Sequence, residues 1–172
     1  MESNPVHLSK FLSCTDKVLN TSKDATRYAY SMAYFSSKLM VNGLEINDYQ
    51  FSLNVFNHYI EKIFPYTGSC DQKTNIVANA LSLALGHNLS DVSDKVFNIL
   101  LGKDFDIMSI ENDMILFNLA CYYSLRNEKE KMLKAIKQGI IYGKKADEYR
   151  QDKDFKDYLN DLDFLNALTV NN

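Results

Sequence analysis

Residues 118–123 read Asn-Leu-Ala-Cys-Tyr-Tyr, and residues 132–136 carry a second apolar stripe, Met-Leu-Lys-Ala-Ile. The first stretch passes from large to small to aromatic side chains, and a turn at Arg126-Asn127 separates it from the second stretch. Two helices packed as an antiparallel pair produce this pattern, because small side chains let the helices approach each other. Proteins that stack such pairs usually offer a surface for another protein. The stretch therefore predicts a helical protein with a binding function.

Composition places the chain among ordinary globular proteins. It has 172 residues, 46% hydrophobic and 24% charged, so we predict one domain over residues 1–172. Cys14, Cys70 and Cys121 are too few and too widely spaced for a disulfide framework or a zinc site. The first ten residues lack an apolar signal core, and no apolar run reaches the roughly 18 residues of a membrane span. We therefore expect a cytoplasmic protein with reduced thiols.

The charge of the chain argues against nucleic acid as a partner. The net charge at pH 7 is −3, and Lys129, Lys131 and Lys134 alternate with Glu128 and Glu130. Such alternation is typical of a solvated helix face, whereas nucleic-acid binding draws its affinity from a basic surface that neutralises phosphates. We expect another protein as the partner, and neither nucleic acid nor a membrane. The oligomeric state does not follow from the sequence.

Chain breakers are rare, with only 2 prolines and 6 glycines, which predicts helices nearly throughout. We predict a capping helix within residues 1–22, helix pairs over 23–64, 71–102 and 110–142, and C-terminal capping helices over 144–168. Within the first pair we expect a helix end at Asn42-Gly43 and another before Pro65, with a loop over residues 65–71. The pairs start about 40–50 residues apart, a spacing typical of helical repeats. The expected fold class is all-α, a stack of antiparallel helix pairs.

The pair over residues 110–142 resembles the tetratricopeptide (TPR) repeat. The family's order of large, large, small and aromatic side chains is present as Leu116, Leu119, Ala120 and Tyr123. Gly139 departs from the pattern, since the family prefers alanine there, and Met132 stands where it prefers a small residue.

The tail resembles the closing segment of bacterial tetratricopeptide arrays, in which Asp-x-Asp-Phe recurs. It carries this motif at residues 152–155 and again at residues 161–164, so the resemblance covers about residues 110–168. Aspartate is expected to cap each short helix, while phenylalanine closes the end of the core. The resemblance implies a right-handed, TPR-like superhelix with a concave groove that is lined by the first helix of each pair.

No pattern of catalytic residues stands out in the sequence. Cys121 lies in the middle of an apolar helix, which is typical of a buried, inert thiol. His58 and Glu61 are one helical turn apart, but two ligands do not make a metal site. We expect no metal and no cofactor, and we interpret the chain as a protein without enzymatic activity.

The family's groove positions fall on the second and sixth predicted helices. They correspond to Tyr30, Ala33, Ser37, Met40 and Val41, and to Met114, Phe117, Cys121, Ser124 and Leu125. Tyr28, Tyr30 and Tyr34 also crowd one short stretch, and tyrosine is favoured at protein interfaces because its large ring carries a polar tip. Packing in the core is the alternative for these rings.

These observations predict a non-catalytic module that holds a partner protein in its groove. One such role is an immunity protein that neutralises a secreted bacterial toxin by steric blocking, with acidic residues steering a basic toxin. A chaperone or adaptor of a secretion or regulatory system is the alternative within the same class. A helical enzyme with an unrecognised site, and a module that binds a peptide or small signal between helices, are alternatives of other classes.

Overall fold

The computed structural model describes residues 5–68, 71–102 and 104–169, and these residues form helices and turns without any β-strand, which confirms the all-α prediction. The α-helices are α1 (Pro5–Thr21), α2 (Ala25–Glu45), α3 (Tyr49–His58), α4 (Phe64–Thr67), α5 (Asp71–His87), α6 (Ser90–Lys95), α7 (Asp113–Leu125), α8 (Lys129–Ile141), α9 (Ala146–Gln151) and α10 (Leu162–Ala167). Tyr59–Ile63 and Val96–Leu101 are π-helical, and Ile107–Ser109 and Lys153–Tyr158 are 3₁₀-helical. Of the helices in these ranges, none is both long and apolar enough to cross a lipid bilayer.

The chain divides into two compact units, Met1–Val92 and Ser93–Asn172. The predicted single domain over residues 1–172 and its division into three helix pairs remain predictions. Each unit is described by itself below.

In the first unit, α2 lies at the centre and contacts α1, α3, α4 and α5. Its inner face consists mainly of small side chains, which are Ala29, Ala33, Ser36, Ser37 and Gly43. Small side chains let several helices approach one axis, and Asn79 on α5 comes close enough to donate a hydrogen bond of 3.2 Å to the Ser37 carbonyl.

The predicted helix end at Asn42-Gly43 is wrong, because α2 continues to Glu45. Gly43 is buried, and a Cβ atom there would overlap Oγ of Ser52 on α3. That hydroxyl donates a 2.9 Å hydrogen bond to the Met40 carbonyl. The glycine therefore serves the close approach of α3 to α2, and the helix ends only where Asn47 adopts a positive φ of 57°.

The predicted helix end before Pro65 is also wrong. Helical structure runs from Tyr49 through the π-helical segment into α4, which contains Pro65 in its first turn. The amide of Phe64 donates to the carbonyl of Tyr59, five residues earlier, so the turn is widened just ahead of the proline. A regular α-helix would press the proline ring against the carbonyl four residues earlier, and the wider π-helical turn gives the ring room. The predicted loop over residues 65–71 shrinks accordingly, since the described chain leaves the helix only at Gly68.

In the second unit, α7 and α8 are joined by the turn at residues 126–128 and pack closely against each other. Both helices fall within three residues of their predicted bounds. Asn112 begins α7 by accepting a hydrogen bond from the Ile115 amide, and Asn127 takes a positive φ of 56° in the turn. In this unit α7 and α8 therefore form an adjacent pair of helices.

The tail consists of short helices, which are α9, the 3₁₀ helix Lys153–Tyr158 and α10. Asp152 accepts a hydrogen bond from the Asp154 amide, and Asp161 accepts from the amides of Asp163 and Phe164. Phe155 and Phe164 are fully buried. Lys129, at the start of α8, adds ion pairs of 2.7 and 2.8 Å to Asp161 and Asp163. The tail is thus capped by its aspartates and anchored by its rings.

Gly139 on α8 faces Tyr149 on α9. A Cβ atom at position 139 would overlap the Tyr149 hydroxyl, and Tyr149 is fully buried. Alanine, which the tetratricopeptide family prefers there, does not fit beside this ring. The close approach of Tyr149 to α8 therefore requires glycine at position 139.

We expect Gly139→Ala to lower the free energy of unfolding by about 1–3 kcal/mol, because the added methyl group overpacks the core against Tyr149. Gly86→Ala is the matched control, since a Cβ at Gly86 on α5 meets nothing within 4 Å. The control should be neutral, or stabilising by up to about 1 kcal/mol. Urea denaturation followed by circular dichroism measures both variants.

The double variant G139A/Y149F identifies the contact that is responsible. Removing the hydroxyl removes the overlapping atom, so the double variant should recover part of the loss of G139A. Equal free energies of unfolding for G139A and the wild type would contradict the packing described here.

His58 is almost buried where α1 meets the end of α3. Its side chain is 9% exposed, its Nε2 lies 3.9 Å from Oδ1 of Asp16, and the ring of Phe11 packs edge-on against it. Burial lowers the pKa of His58 below its usual 6.5, and nearby Lys62 acts in the same direction. Asp16 and Glu61 oppose this shift without cancelling it. The folded protein therefore favours neutral His58.

We expect the free energy of unfolding to fall as the pH drops through 6.5 toward the lowered pKa of His58. The sign follows because the unfolded chain takes up the proton first, so the contribution is complete above 6.5 and lost below the folded pKa. Denaturation of wild type and His58→Gln between pH 5 and 8 isolates this effect from other groups. A wild-type slope no steeper than that of H58Q would show that His58 does not contribute.

Candidate partner-binding surfaces

The outer face of α2 carries four large aromatic side chains within eight residues. Tyr28, Tyr30, Tyr34 and Phe35 are 45–54% exposed. Tyr34 and Phe35 touch edge-to-face with ring centroids 5.7 Å apart, and the Lys38 ammonium lies 5.6 Å from the centre of the Tyr34 ring. We call these four rings the α2 aromatic face. The alternative of core packing is wrong for its three tyrosines.

The predicted groove residues on α2 divide by burial. Tyr30 is exposed and belongs to the α2 aromatic face, and Val41 is half-buried. Ala33, Ser37 and Met40 lie on the buried side of the helix. The structure therefore brings the last three into the core of the first unit, and leaves Tyr30 accessible to a partner.

The predicted groove residues on α7 lie mostly beneath the chain's own tail. The ring of Phe117 contacts those of Tyr149 and Phe155, with centroids 5.0 and 6.2 Å away. The Ser124 hydroxyl donates to the carbonyl of Asp154, and Cys121 is also buried. Met114 and Leu125, by contrast, are 45% and 51% exposed. The role of all ten residues in partner binding remains a prediction, but three of them, Tyr30, Met114 and Leu125, are clearly accessible.

An open cleft adjoins the C-terminal end of α7. One side is formed by Ser124, Leu125 and Asn127. The 3₁₀ helix of the tail forms the other side, with Lys153, Asp154, Lys156, Asp157 and Tyr158. The cleft thus combines the apolar Leu125 and the ring of Tyr158 with charges of both signs.

Cys121, Asp152 and Asp154 form a group that sequence reasoning did not connect. Their ligand atoms lie within 4.8 Å of one another, which is the spacing of metal ligands. The thiol donates a hydrogen bond to the Asp154 carboxylate, however, and Asp152 caps the 3₁₀ helix. Burial and the two carboxylates raise the pKa of the Cys121 thiol, while burial raises the pKa of Asp154. These contacts give all three side chains a structural role.

His58 and Glu61, which lie one helical turn apart in the sequence, form no ion pair in the structure. His58 faces Asp16 on α1, which lies far away in the sequence. No signal in the sequence indicated this contact, since the pattern predicted a capping helix within residues 1–22 without the partner that meets it.

No protein-family model matches the chain, and neither the curated proteins nor the solved structures gave a match. Any function must therefore be argued from the residues of the chain itself.

Proposed function

We propose that this chain is a non-catalytic module that binds another protein. The α2 aromatic face carries this proposal. Isolated apolar side chains are common on protein surfaces, but four exposed aromatic side chains within eight residues, two of them in contact, favour an interaction site. Tyrosine and phenylalanine are also the side chains that protein interfaces favour, because each buries a large area at a small cost in conformational entropy.

The accessible residues on α7 support the same proposal in the second unit. Met114 and Leu125 are exposed apolar side chains at the two ends of α7, and Leu125 borders the open cleft. We propose Tyr30 as a contact position for a partner in the first unit, and Met114 and Leu125 as contact positions in the second, while the buried members of the predicted set hold the helices of each unit in place.

We also propose that the chain is organised as a TPR-like stack. Support comes from the α7–α8 pair, where Leu116, Leu119 and Ala120 are fully buried and Tyr123 is nearly so. The capped tail with its buried phenylalanines is what a closing segment requires. A right-handed superhelix with a groove is the finer form of this proposal.

Photo-crosslinking in the organism that encodes the chain tests the binding proposal. Tyr30, Met114 and Leu125 are replaced one at a time by a photoreactive phenylalanine analogue, and the adducts are identified by mass spectrometry. We expect a discrete protein adduct from these positions because their side chains project from the surface. Ile141 is the matched control, since it is apolar and 47% exposed but lies outside the predicted set. Adducts no stronger than those from position 141 would overturn the proposal.

The immunity role is the specific form of this proposal, and gene context tests it. Where the neighbouring gene encodes a toxin-like C-terminal domain, that domain is co-expressed with the chain and growth is recorded. We expect the chain to restore growth, and a replacement of Leu125 by Asp to weaken the rescue by placing a charge at the contact. Growth arrest despite soluble chain would exclude the immunity role and favour the chaperone or adaptor alternative.

A further inference from the structure

We propose that the α2 aromatic face binds a helical segment of the partner that carries acidic residues about three turns apart, with apolar residues between them. This inference deepens the proposed function, and it rests on that function. It follows from the arrangement of charges and rings along α2.

A straight line of exposed residues runs along the outer face of α2. Arg27, Ser31, Tyr34 and Lys38 are separated by four, three and four residues, and all four are exposed. This spacing keeps side chains on one line along a helix, and it is the spacing of the contact seam between paired helices. The small Ser31 near the middle of the line allows a second helix to approach closely.

The aromatic rings flank this line on both sides. At about 100° per residue, Tyr28 and Phe35 project to one side of the line and Tyr30 to the other. The result is a strip of exposed rings centred on Tyr34, with the basic residues Arg27 and Lys38 near its two ends. Such a strip matches the side chains that a partner helix presents at intervals of three and four residues.

The charges of the strip select the partner's chemistry. Between Thr26 and Asn42 the only charged residues are Arg27 and Lys38, and both are basic, whereas the exposed acids Asp24 and Glu45 flank this stretch at its two ends. No ion pair to a carboxylate of the described residues engages either of them. The rest of the chain is acidic overall, since the net charge is −3. A positive strip on an acidic protein favours a partner with carboxylates at the matching positions.

The distance between the two cations sets the spacing of those carboxylates. Eleven residues separate Arg27 from Lys38, which corresponds to about 16 Å along the helix axis. A partner helix lying along α2 matches both with acidic residues ten to twelve positions apart. The proposal concerns this segment alone and sets no condition on the net charge of the whole partner.

A selection experiment tests the inference. A phage-displayed library of 20-residue helical peptides, randomised on one face, is panned against the full chain, and enriched peptides are measured by biolayer interferometry. We expect enriched peptides to carry Asp or Glu ten to twelve positions apart, with Leu, Ile, Met or Phe between them.

Charge reversal on α2 tests the role of the two cations. The double variant R27E/K38E should weaken the affinity of the enriched peptides about tenfold or more, because it places like charges opposite each other. The matched control is K10E/K17E, which changes the net charge equally at exposed lysines of α1 and should leave the affinity within about twofold.

A second pair of variants tests the rings. Tyr34→Ala with Phe35→Ala should also weaken binding about tenfold or more, since central aromatic side chains carry most of an interface's energy. Tyr66→Ala removes a ring of similar exposure, 40%, from the same unit and should have no effect. All variants change exposed side chains, so they should remain folded, and circular dichroism verifies this.

The remaining outcomes separate this inference from the proposed function. Enriched peptides that depend on Leu125 but bind R27E/K38E unchanged would overturn the inference and leave the binding proposal intact. No enrichment at all would count against both the inference and the binding proposal.

Two further measurements test other occupants of the α2 aromatic face. Binding of a 20-nucleotide oligodeoxythymidine that R27E/K38E abolishes would mean that the face binds a nucleic acid rather than a protein segment. A dimer in analytical ultracentrifugation that Y34A/F35A dissociates would make a second copy of the chain the occupant, and would likewise overturn the inference.

Discussion

The burial of three aromatic rings from the tail organises the second unit. Tyr149, Phe155 and Phe164 are fully buried, and they contact one another in sequence, with Phe117 of α7 joining the first two. Full burial of one such ring contributes roughly 1.5–3 kcal/mol, whereas the exposed ion pairs of Lys129 contribute much less. The rings therefore hold the tail in place, and the ion pairs and aspartate caps fix its path. The same contact covers the face of α7 that a groove would need.

Periodicity predicted the helices well, because the burial of one face is a property that a sequence carries at every turn. The breakers were harder to interpret. Gly43 and Pro65 are both compatible with ending a helix, but each also fits inside one when the surroundings favour it. Ser52 packs against Gly43 and a widened turn precedes Pro65. These causes come from α3 and from the backbone geometry, neither of which can be read from the residue itself.

The candidate surface was predictable only in part. Spacing along a helix correctly placed Phe117, Cys121 and Ser124 on a common face, but it could not show that the tail covers that face. On α2 the crowding of tyrosines indicated an interface, and the structure adds Phe35, Arg27 and Lys38 to the picture. Most side chains on the inner face of α2 are small because four helices converge there, and its aromatic side chains lie on the outer face. A count of hydrophobic residues would assign them to the core.

Because Cys121 is buried, the labelling of its thiol can report on movements of the segment that covers it. Alkylating reagents need access to a thiolate, and this thiol is buried with the Asp152 and Asp154 carboxylates beside it. Cys14 on α1 is exposed and offers an accessible thiol on the folded chain. The rate at which Cys121 is labelled, measured against Cys14, therefore follows the detachment of the C-terminal segment, whatever else the protein is doing.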